Sequence, residues 1–159
     1  MKIKVGFGYD VHPLKEGKAL WLGGIQLDHH SGCDGHSDAD VLIHAICDAL
    51  LGAANLRDIG FHFPNTNPAY KGIDSKKLLA DVVALLSEKG YKIGNVDATL
   101  SLEQPKINPH IAKMQEALAP IMNVSADDVS IKATTNEKLG YVGREEGVNA
   151  YAVALIYKD

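Results

Sequence analysis

Two short stretches of this 159-residue chain carry side chains that could bind a metal ion. Asp10 and His12 lie two residues apart near the N-terminus, and His44 follows in an acidic run that begins at His36. Two imidazoles and one carboxylate are a typical ligand set for catalytic zinc, which leaves a fourth position open for water or substrate. These residues therefore predict a metal centre that takes part in chemistry rather than one that only stabilises the fold.

The elements expected around these residues could bring them together. Residues 2–11 alternate in polarity, which predicts a strand that places the first two ligands on one face. Asp40, His44 and Asp48 recur at four-residue intervals and share one stripe of the first predicted helix. We expect Asp40 or Asp48 to hydrogen-bond the His44 ring and to set its orientation, as carboxylates often do beside metal-bound imidazoles.

The two cysteines of the chain, Cys33 and Cys47, leave a competing arrangement open. Cys33 and His36 have the C-x2-H spacing of a metal-binding pair, but the remaining ligands are unaccounted for. Neither cysteine requires a disulfide, which favours a reducing compartment. With no signal-peptide pattern at Met1 and no apolar run of membrane-spanning length, the sequence predicts a cytoplasmic protein.

Composition is typical of a globular domain, with 46% hydrophobic and 23% charged residues. The length predicts one domain over residues 1–159. A formal net charge of −4 argues against nucleic acid or an anionic membrane as partner. An anionic ligand would need local positive charge or a metal ion.

The remaining pattern predicts a mixed β-sheet with about three helices on one face, an α/β or α+β fold. Gly23 and Gly24 suit the turn of an N-terminal hairpin. The expected elements are a strand over 2–11, the hairpin over 19–27, a loop over 28–36, a helix from Ser37 or Asp38 to Ala54, a long loop over 55–73, a helix over 74–89, a strand over 94–102, a helix from Pro109 to about Met122, a turn over 125–128, and strands over 129–134 and 148–157.

Taken in order, these motifs closely resemble the 2-C-methyl-D-erythritol 2,4-cyclodiphosphate synthase family of the non-mevalonate isoprenoid pathway. The matching stretches cover nearly the whole chain: residues 8–12, 36–41, 44, 48–54, 58–60, 63–64, 68, 94–97, 105–106, 132–135, 137–140, 143–144 and 146–147. The resemblance implies a lyase that cyclises a cytidine diphosphate substrate and releases CMP. It also implies a homotrimer with active sites between subunits.

The resemblance also implies a role for individual metal-binding residues. Asp10, His12 and His44 match the ligands of one zinc ion per subunit. Glu137 matches the protein ligand of a second divalent cation, magnesium or manganese, that bridges the substrate phosphates.

Further positions match residues that act on the substrate in this family. His36 and Thr135 match the residues that stabilise the transition state. The positions implied to contact the substrate are Asp10, His12, His36, Ser37, Asp58, Ile59, Gly60, Phe63, Pro64, Asn65, Thr66, Asn67, Pro105, Lys106, Ala133, Thr134, Thr135, Glu137, Tyr141 and Arg144. Tyr141 and Arg144 also match positions near the trimer axis, where some members hold an isoprenoid diphosphate.

The chain departs from the family pattern in three places. Asn65 and Asn67 stand where the family commonly has aspartates, so a role that needs negative charge there is in doubt. Asn136 replaces the last of three threonines, and Glu145 replaces a glycine. None of these changes touches an implied metal ligand.

The same ligands allow two other functions. A zinc phosphoesterase would use metal-bound hydroxide and give a linear product. A non-catalytic trimer would only store metal or an isoprenoid diphosphate, and would not depend on His36 or Glu137.

Overall fold

A five-stranded mixed sheet forms the centre of the computed structural model, which describes residues 1–159. The strands in chain order are β1 (Lys2–Glu16), β2 (Leu20–Leu22), β3 (Ile25–Leu27), β4 (Ser31–Cys33), β5 (Lys92–Ser101), β6 (Val129–Thr134) and β7 (Gly147–Lys158). The sheet order is β4-β1-β7-β5-β6, and only β5 and β6 run parallel. Strands β2 and β3 form a separate hairpin.

Three longer helices cover one side of this sheet. The helices are α1 (Val41–Ala53), α2 (Ile59–His62), α3 (Ser75–Glu88), α4 (Ile111–Met122) and α5 (Gly140–Gly143). Helix α1 packs on β1 and β7, α4 packs on β6, and α3 contacts both helices. One continuous cluster of 38 buried residues lies between these layers. The predicted α+β architecture is thus confirmed. None of the helices combines the length and the apolar character that crossing a lipid bilayer requires.

Glycines on β1 allow α1 to lie unusually close to the strand. A Cβ atom added to Gly6 would overlap the Ala49 carbonyl, and one added to Gly8 would overlap the Ala45 carbonyl. Even residues of β1 face the helix, so this contact lies on the same face as Asp10 and His12. Close backbone approach of this kind requires residues without a side chain.

The buried carboxylate of Asp40 joins the hairpin to the start of α1. Its Oδ1 accepts hydrogen bonds from the backbone N–H groups of Gly23 (3.0 Å) and Ile43 (3.1 Å), and Oδ2 accepts one from Gly24 (2.7 Å). Asp40 is therefore the N-cap of α1 and also holds the predicted turn between β2 and β3. Both glycines have positive φ, at 62° and 80°, as a two-residue hairpin turn requires.

Several predicted boundaries around the site were wrong. Strand β1 continues to Glu16, because residues 14–16 pair with 31–33, which form β4 within the predicted loop. Helix α1 begins at Val41 rather than at Ser37 or Asp38. Ala39 has φ 58°, which is incompatible with a helix running through it.

The other differences are local. Residues 55–73 include the short helix α2 and a 3₁₀ turn at Pro68–Tyr70. Pro109 lies in a 3₁₀ turn, so the third long helix begins at Ile111. Helix α5 had no predicted counterpart, since four residues are too few to show a helical pattern.

We expect Gly6→Ala to destabilise the protein by about 1–3 kcal/mol, the usual cost of forcing extra volume into a packed core. Gly52 is a matched control on α1, because its added Cβ would meet only the Phe7 carbonyl oxygen, at 3.9 Å. Gly52→Ala should stabilise the exposed side of the helix by up to about 1 kcal/mol. Urea unfolding of the three proteins measures both changes, and equal stabilities would contradict the close α1–β1 contact.

Candidate metal centre

Asp10, His12 and His44 bring three ligand atoms to one point between β1 and α1. Asp10 Oδ2 lies 3.0 Å from His12 Nε2 and 3.2 Å from His44 Nδ1, and the two nitrogens are 3.2 Å apart. A tetrahedral ion with bonds of about 2.0 Å to each ligand needs ligand separations of roughly 3.3 Å. The donor set therefore fits a small divalent cation, as the sequence predicted for these three residues.

The charges of the cluster support cation binding. Burial opposes ionisation of Asp10, but hydrogen bonds from His12 and His44 lower its pKa to about 2. Burial disfavours the charged form of His44, whereas its contact with Asp10 outweighs this and raises its pKa. The site thus places a carboxylate with a lowered pKa beside two imidazoles, and all three groups could hold a bound cation.

A cavity of about 320 Å³ opens beside these three side chains. It is lined by Asp10, His12, Gly35, His36, Ser37, His44, Ile59, Gly60, Phe63, Asn65, Tyr70, Ile73 and Leu78. Nine residues of the predicted metal, catalytic and substrate sets line this cavity: Asp10, His12, His36, Ser37, His44, Ile59, Gly60, Phe63 and Asn65. The fold therefore places them around one space. The His36 ring lies 3.3 Å from the Asn67 carbonyl oxygen, which holds the imidazole against the 55–73 segment.

The predicted hydrogen bonds from Asp40 or Asp48 to His44 are absent. The Asp40 carboxylate is occupied by backbone N–H groups, and Asp48 Oδ1 accepts from the Ile59 N–H at 2.8 Å. His44 Nε2 instead lies 2.9 Å from Ser75 Oγ and 3.2 Å from Ser37 Oγ. Sequence reasoning missed Ser75 because it lies 31 residues away, at the start of α3.

The alternative pair of Cys33 and His36 does not form a metal site. Cys33 is outside the ligand cluster. Its thiol is buried, and burial raises its pKa far above the usual range, which opposes the thiolate form that binds metals.

A second, smaller cavity of about 140 Å³ lies near the end of β6. Its lining consists of Leu102, Glu103, Pro105, Lys106, Ile107, Asn108, Ala133, Thr134 and Thr135. All five residues that the sequence predicts as substrate contacts at 105–106 and 133–135 are here, and none of them lines the first cavity. Thr135 and His36, the two residues implied in catalysis, are therefore in different cavities of the chain.

The sheet register shows how far apart the two cavities are. Asp10 pairs with Ala150, Ala150 with Leu100, and Leu100 with Ala133. Three strand spacings separate Asp10 from Ala133, a distance of roughly 14 Å. Within one chain the two cavities therefore lie on different parts of the sheet.

Glu137 lies outside the three-residue cluster, in a turn beyond β6. Glu137 and Lys138 both have positive φ, at 52° and 63°. Glu103 Oε1 stabilises this turn by accepting from the N–H groups of Asn136 (2.9 Å) and Lys138 (3.2 Å). The exposed Glu137 carboxylate is thus held on an ordered turn next to the second cavity.

Two of the positions expected to differ from the family pattern have local structural roles. Asn136 Oδ1 accepts from Ser101 Oγ at 2.5 Å, and Asn67 Oδ1 accepts from the Ala69 N–H at 3.0 Å. Asn67 therefore caps the 3₁₀ turn, which an aspartate would also do. Glu145 has φ 59°, a conformation that a glycine adopts without strain.

Three other predicted substrate contacts lie apart from the metal cluster. Asp58 precedes α2 without capping it. Tyr141 donates to Asn149 Oδ1 at 2.6 Å, and Arg144 forms an exposed ion pair with Glu146 at 2.9 Å. The exposed Thr66 and partly buried Pro64 belong to the segment that borders the first cavity.

The fold and the three-donor cluster together define an α+β protein with a candidate divalent-cation centre beside a polar cavity. The sequence model of the YgbB family matches residues 3–157. The chain therefore belongs to the YgbB family.

Curated relatives of high identity share one name. A protein of Cytophaga hutchinsonii named 2-C-methyl-D-erythritol 2,4-cyclodiphosphate synthase is 72% identical over 158 residues, 99% of each chain. A protein of the same name from Bacteroides thetaiotaomicron is 63% identical over the full length of both chains. These relatives are enzymes by name, and the resemblance seen in the sequence is confirmed.

Solved structures share the fold. A structure of 2C-methyl-D-erythritol-2,4-cyclodiphosphate synthase has a TM-score of 0.89 at 34% identity and covers 97% of this chain and all of its own. An IspF–CDP complex from Plasmodium falciparum has a TM-score of 0.86 at 33% identity, covering 99% of this chain and 97% of its own. The bifunctional IspDF of Campylobacter jejuni has a TM-score of 0.95 at 35% identity. The match covers 99% of this chain and 43% of that protein.

We expect Asp10→Ala and His44→Ala to weaken zinc binding by more than about 100-fold. Loss of a residue that only supports a metal ligand weakens binding by at most about that factor. Each change removes one of three donor atoms. Isothermal titration of the purified proteins with zinc chloride measures the loss. His36→Ala is the control and should bind normally, because the His36 ring is directed to the Asn67 carbonyl. Undiminished binding by Asp10→Ala would remove that residue from the site.

Proposed function

We propose that this chain, acting as one domain, cyclises 4-diphosphocytidyl-2-C-methyl-D-erythritol 2-phosphate to 2-C-methyl-D-erythritol 2,4-cyclodiphosphate. An oxygen of the 2-phosphate attacks the β-phosphorus of the diphosphate. The bond from that phosphorus to the bridging oxygen breaks, and CMP leaves with the oxygen. No water is consumed, so the reaction is that of a phosphorus–oxygen lyase. The observation that carries the proposal is the convergence of Asp10, His12 and His44 beside a cavity, in a chain 72% identical to a protein of that name.

The chemistry of the reaction agrees with the residues present. The nucleophile is a phosphate oxygen that is already anionic, so no general base has to create it. Phosphoryl transfer depends mainly on positioning and on stabilising charge. The first cavity accordingly supplies imidazole, hydroxyl and backbone groups rather than a paired nucleophile and base.

We assign a zinc ion to Asp10, His12 and His44, and a magnesium or manganese ion to Glu137. When bound, these cations would supply Lewis-acid stabilisation of the charged phosphates. Two neutral imidazoles and a carboxylate suit zinc, whereas a single exposed carboxylate suits a cation that is also held by substrate oxygens.

The remaining residues position the two arms of the substrate. His36 and Ser37, which line the first cavity, can donate hydrogen bonds to the phosphates. Ile59 and Gly60 from α2 and the segment around Phe63 enclose the methylerythritol arm. Bringing both reacting phosphates of one molecule together is itself a large part of the rate enhancement.

The second cavity would hold the cytidine end of the substrate. Its lining includes Pro105 and Lys106 on one side and the 133–135 backbone on the other. Thr135 then lies next to the diphosphate and can stabilise its developing charge. A related structure binds CDP according to its name, which supports a cytidine nucleotide as the ligand here.

We further propose a homotrimer in which the first cavity of one subunit meets the second cavity of its neighbour. The separation of roughly 14 Å between Asp10 and Ala133 within one chain supports such a complement. The sheet face opposite α1 supports it, because its side chains are large, apolar and exposed. These side chains are Ile3, Val5, Phe7, Tyr9 and Val11 of β1 and Tyr151 and Val153 of β7. Phe7 is 63% exposed, and a contiguous apolar patch of this kind usually marks an interface.

A cytoplasmic location is the remaining part of the proposal. Cys33 and Cys47 are both buried free thiols, which suits a reducing compartment.

Incubation with the proposed substrate, zinc and magnesium should yield CMP and a cyclic product. Phosphorus NMR should show two coupled resonances from the product, since both of its phosphates belong to one ring. A zinc phosphoesterase would instead give linear products with incorporation of ¹⁸O from labelled water. Absence of the coupled pair at full zinc occupancy would refute the cyclase assignment.

Mixed trimers test the shared active site. His44→Ala and Glu137→Ala should each be nearly inactive, because each lacks one half of every site. Co-expressed at equal levels, they should recover about a quarter of wild-type activity per chain, since random assembly joins two intact halves in one site of four.

The matched control pairs Asp10→Ala with His44→Ala, which damage the same half and should not recover. Adding Phe7→Glu to both complementing chains should disrupt the apolar interface and abolish the recovery. Activity that stays absent in intact mixed trimers would place the whole site within one chain.

A further inference from the structure

His44 is the only member of the ligand cluster whose second ring nitrogen faces a buried hydroxyl. Its Nδ1 faces Asp10 and His12, while its Nε2 lies 2.9 Å from Ser75 Oγ. Ser75 is fully buried at the first turn of α3, an element that supplies no metal ligand. The hydroxyl continues to Asp38, whose Oδ1 is 2.5 Å from Ser75 Oγ.

The hydrogen bonds that link His44, Ser75 and Asp38 fix which groups donate and which accept. Asp38 Oδ1 also accepts from the Asp40 N–H (3.1 Å), and Oδ2 accepts from the Ser75 N–H (2.9 Å). An ionised carboxylate only accepts hydrogen bonds, so the Ser75 hydroxyl donates to Asp38. Ser75 Oγ then offers only lone pairs to His44, and Nε2 must carry the ring proton.

We propose that Asp38 and Ser75 are positioning residues that hold the His44 ring with its proton on Nε2, so that Nδ1 presents a lone pair to the cation. A neutral imidazole with the proton on Nδ1 cannot bind a metal through that atom. The inference rests on the zinc site of the proposed function and extends it to two residues that touch neither metal nor substrate.

The backbone around these residues supports a positioning role. The Asp38 N–H donates to the Ile73 carbonyl at 3.0 Å, and the Gly72 N–H donates to the His36 carbonyl at 2.7 Å. The segment before α3 is thereby fastened to the segment before α1. Ser75 follows the 55–73 segment closely, so the position of that segment affects the orientation of the His44 ring.

Ser37 does not replace Ser75 in this arrangement. Its Oγ is farther from His44 Nε2, at 3.2 Å, and already accepts from the Ala39 N–H at 3.1 Å. No carboxylate fixes the direction of its hydroxyl proton, which remains available to a ligand in the cavity.

The test is the zinc dissociation constant of the full-length protein, measured by competition with a chromogenic chelator. Ser75→Ala and Asp38→Asn should each weaken zinc binding by about 10- to 100-fold, the usual effect of losing a group that orients a metal-bound imidazole. Ser75→Thr keeps the hydroxyl and should restore most of the affinity. Asp48→Asn, one helical turn after His44, is the matched carboxylate control and should bind as wild type does.

A spectroscopic measurement separates orientation from general loss of structure. In zinc-loaded protein labelled with ¹⁵N-histidine, the His44 Nε2–H should give a slowly exchanging proton signal. That signal should disappear in Ser75→Ala and persist in Asp48→Asn. Unchanged zinc affinity in Ser75→Ala, or a persistent signal in that variant, would overturn the inference.

These outcomes are distinct from failure of the proposed function. Wild-type protein that binds no zinc would overturn both the zinc assignment and this inference. Wild-type protein that binds zinc and forms the cyclic product, with Ser75→Ala unaffected, would overturn the inference alone.

Discussion

The close contact between β1 and α1 is the constraint on which the candidate site depends. A metal centre of this type needs donor atoms about 3 Å apart from two different elements. Gly6 and Gly8 let the helix backbone approach the strand until the His44 ring reaches the Asp10 carboxylate. Two alanine-sized side chains at these positions would separate the elements and, with them, the ligands.

Asp38 and Asp40 stabilise the surroundings of this contact between β1 and α1 through different partners. Asp40 turns inward, caps α1 and binds the hairpin glycines, whereas Asp38 turns toward α3 and accepts from Ser75. The positive φ of Ala39 between them reverses the chain direction and explains why neighbours of the same type face different partners. A continuous helix from Asp38 would have removed both arrangements.

Two of the residues that depart from the expected family pattern have roles within the fold. Asn67 caps a 3₁₀ turn and Asn136 binds Ser101, so both amide oxygens accept hydrogen bonds within the fold. Glu145 is less easily accommodated, because a non-glycine residue with φ 59° costs about 1 kcal/mol. These substitutions lie outside the ligand cluster and leave its geometry intact.

Residue types and short spacings sufficed to predict the α+β architecture, the hairpin turn and the three donors of the candidate metal site. These features depend on local rules: alternation on a strand, paired glycines in a turn, and ligand chemistry within two short stretches. Even so, the start of α1 was misplaced, because its N-cap is set by buried hydrogen bonds to a hairpin that lies 16 to 17 residues earlier in the chain, and not by the capping residue types alone.

Only the tertiary structure decided which groups surround His44 and how the two cavities are separated. Asp40 and Asp48 have the spacing of partners for His44, yet burial and backbone donors engage both elsewhere. Ser75 comes from another helix, and a contact across 31 residues leaves no periodic trace in the sequence. The distance from Asp10 to Ala133 likewise follows from strand order, which is a property of the assembled sheet rather than of any one segment.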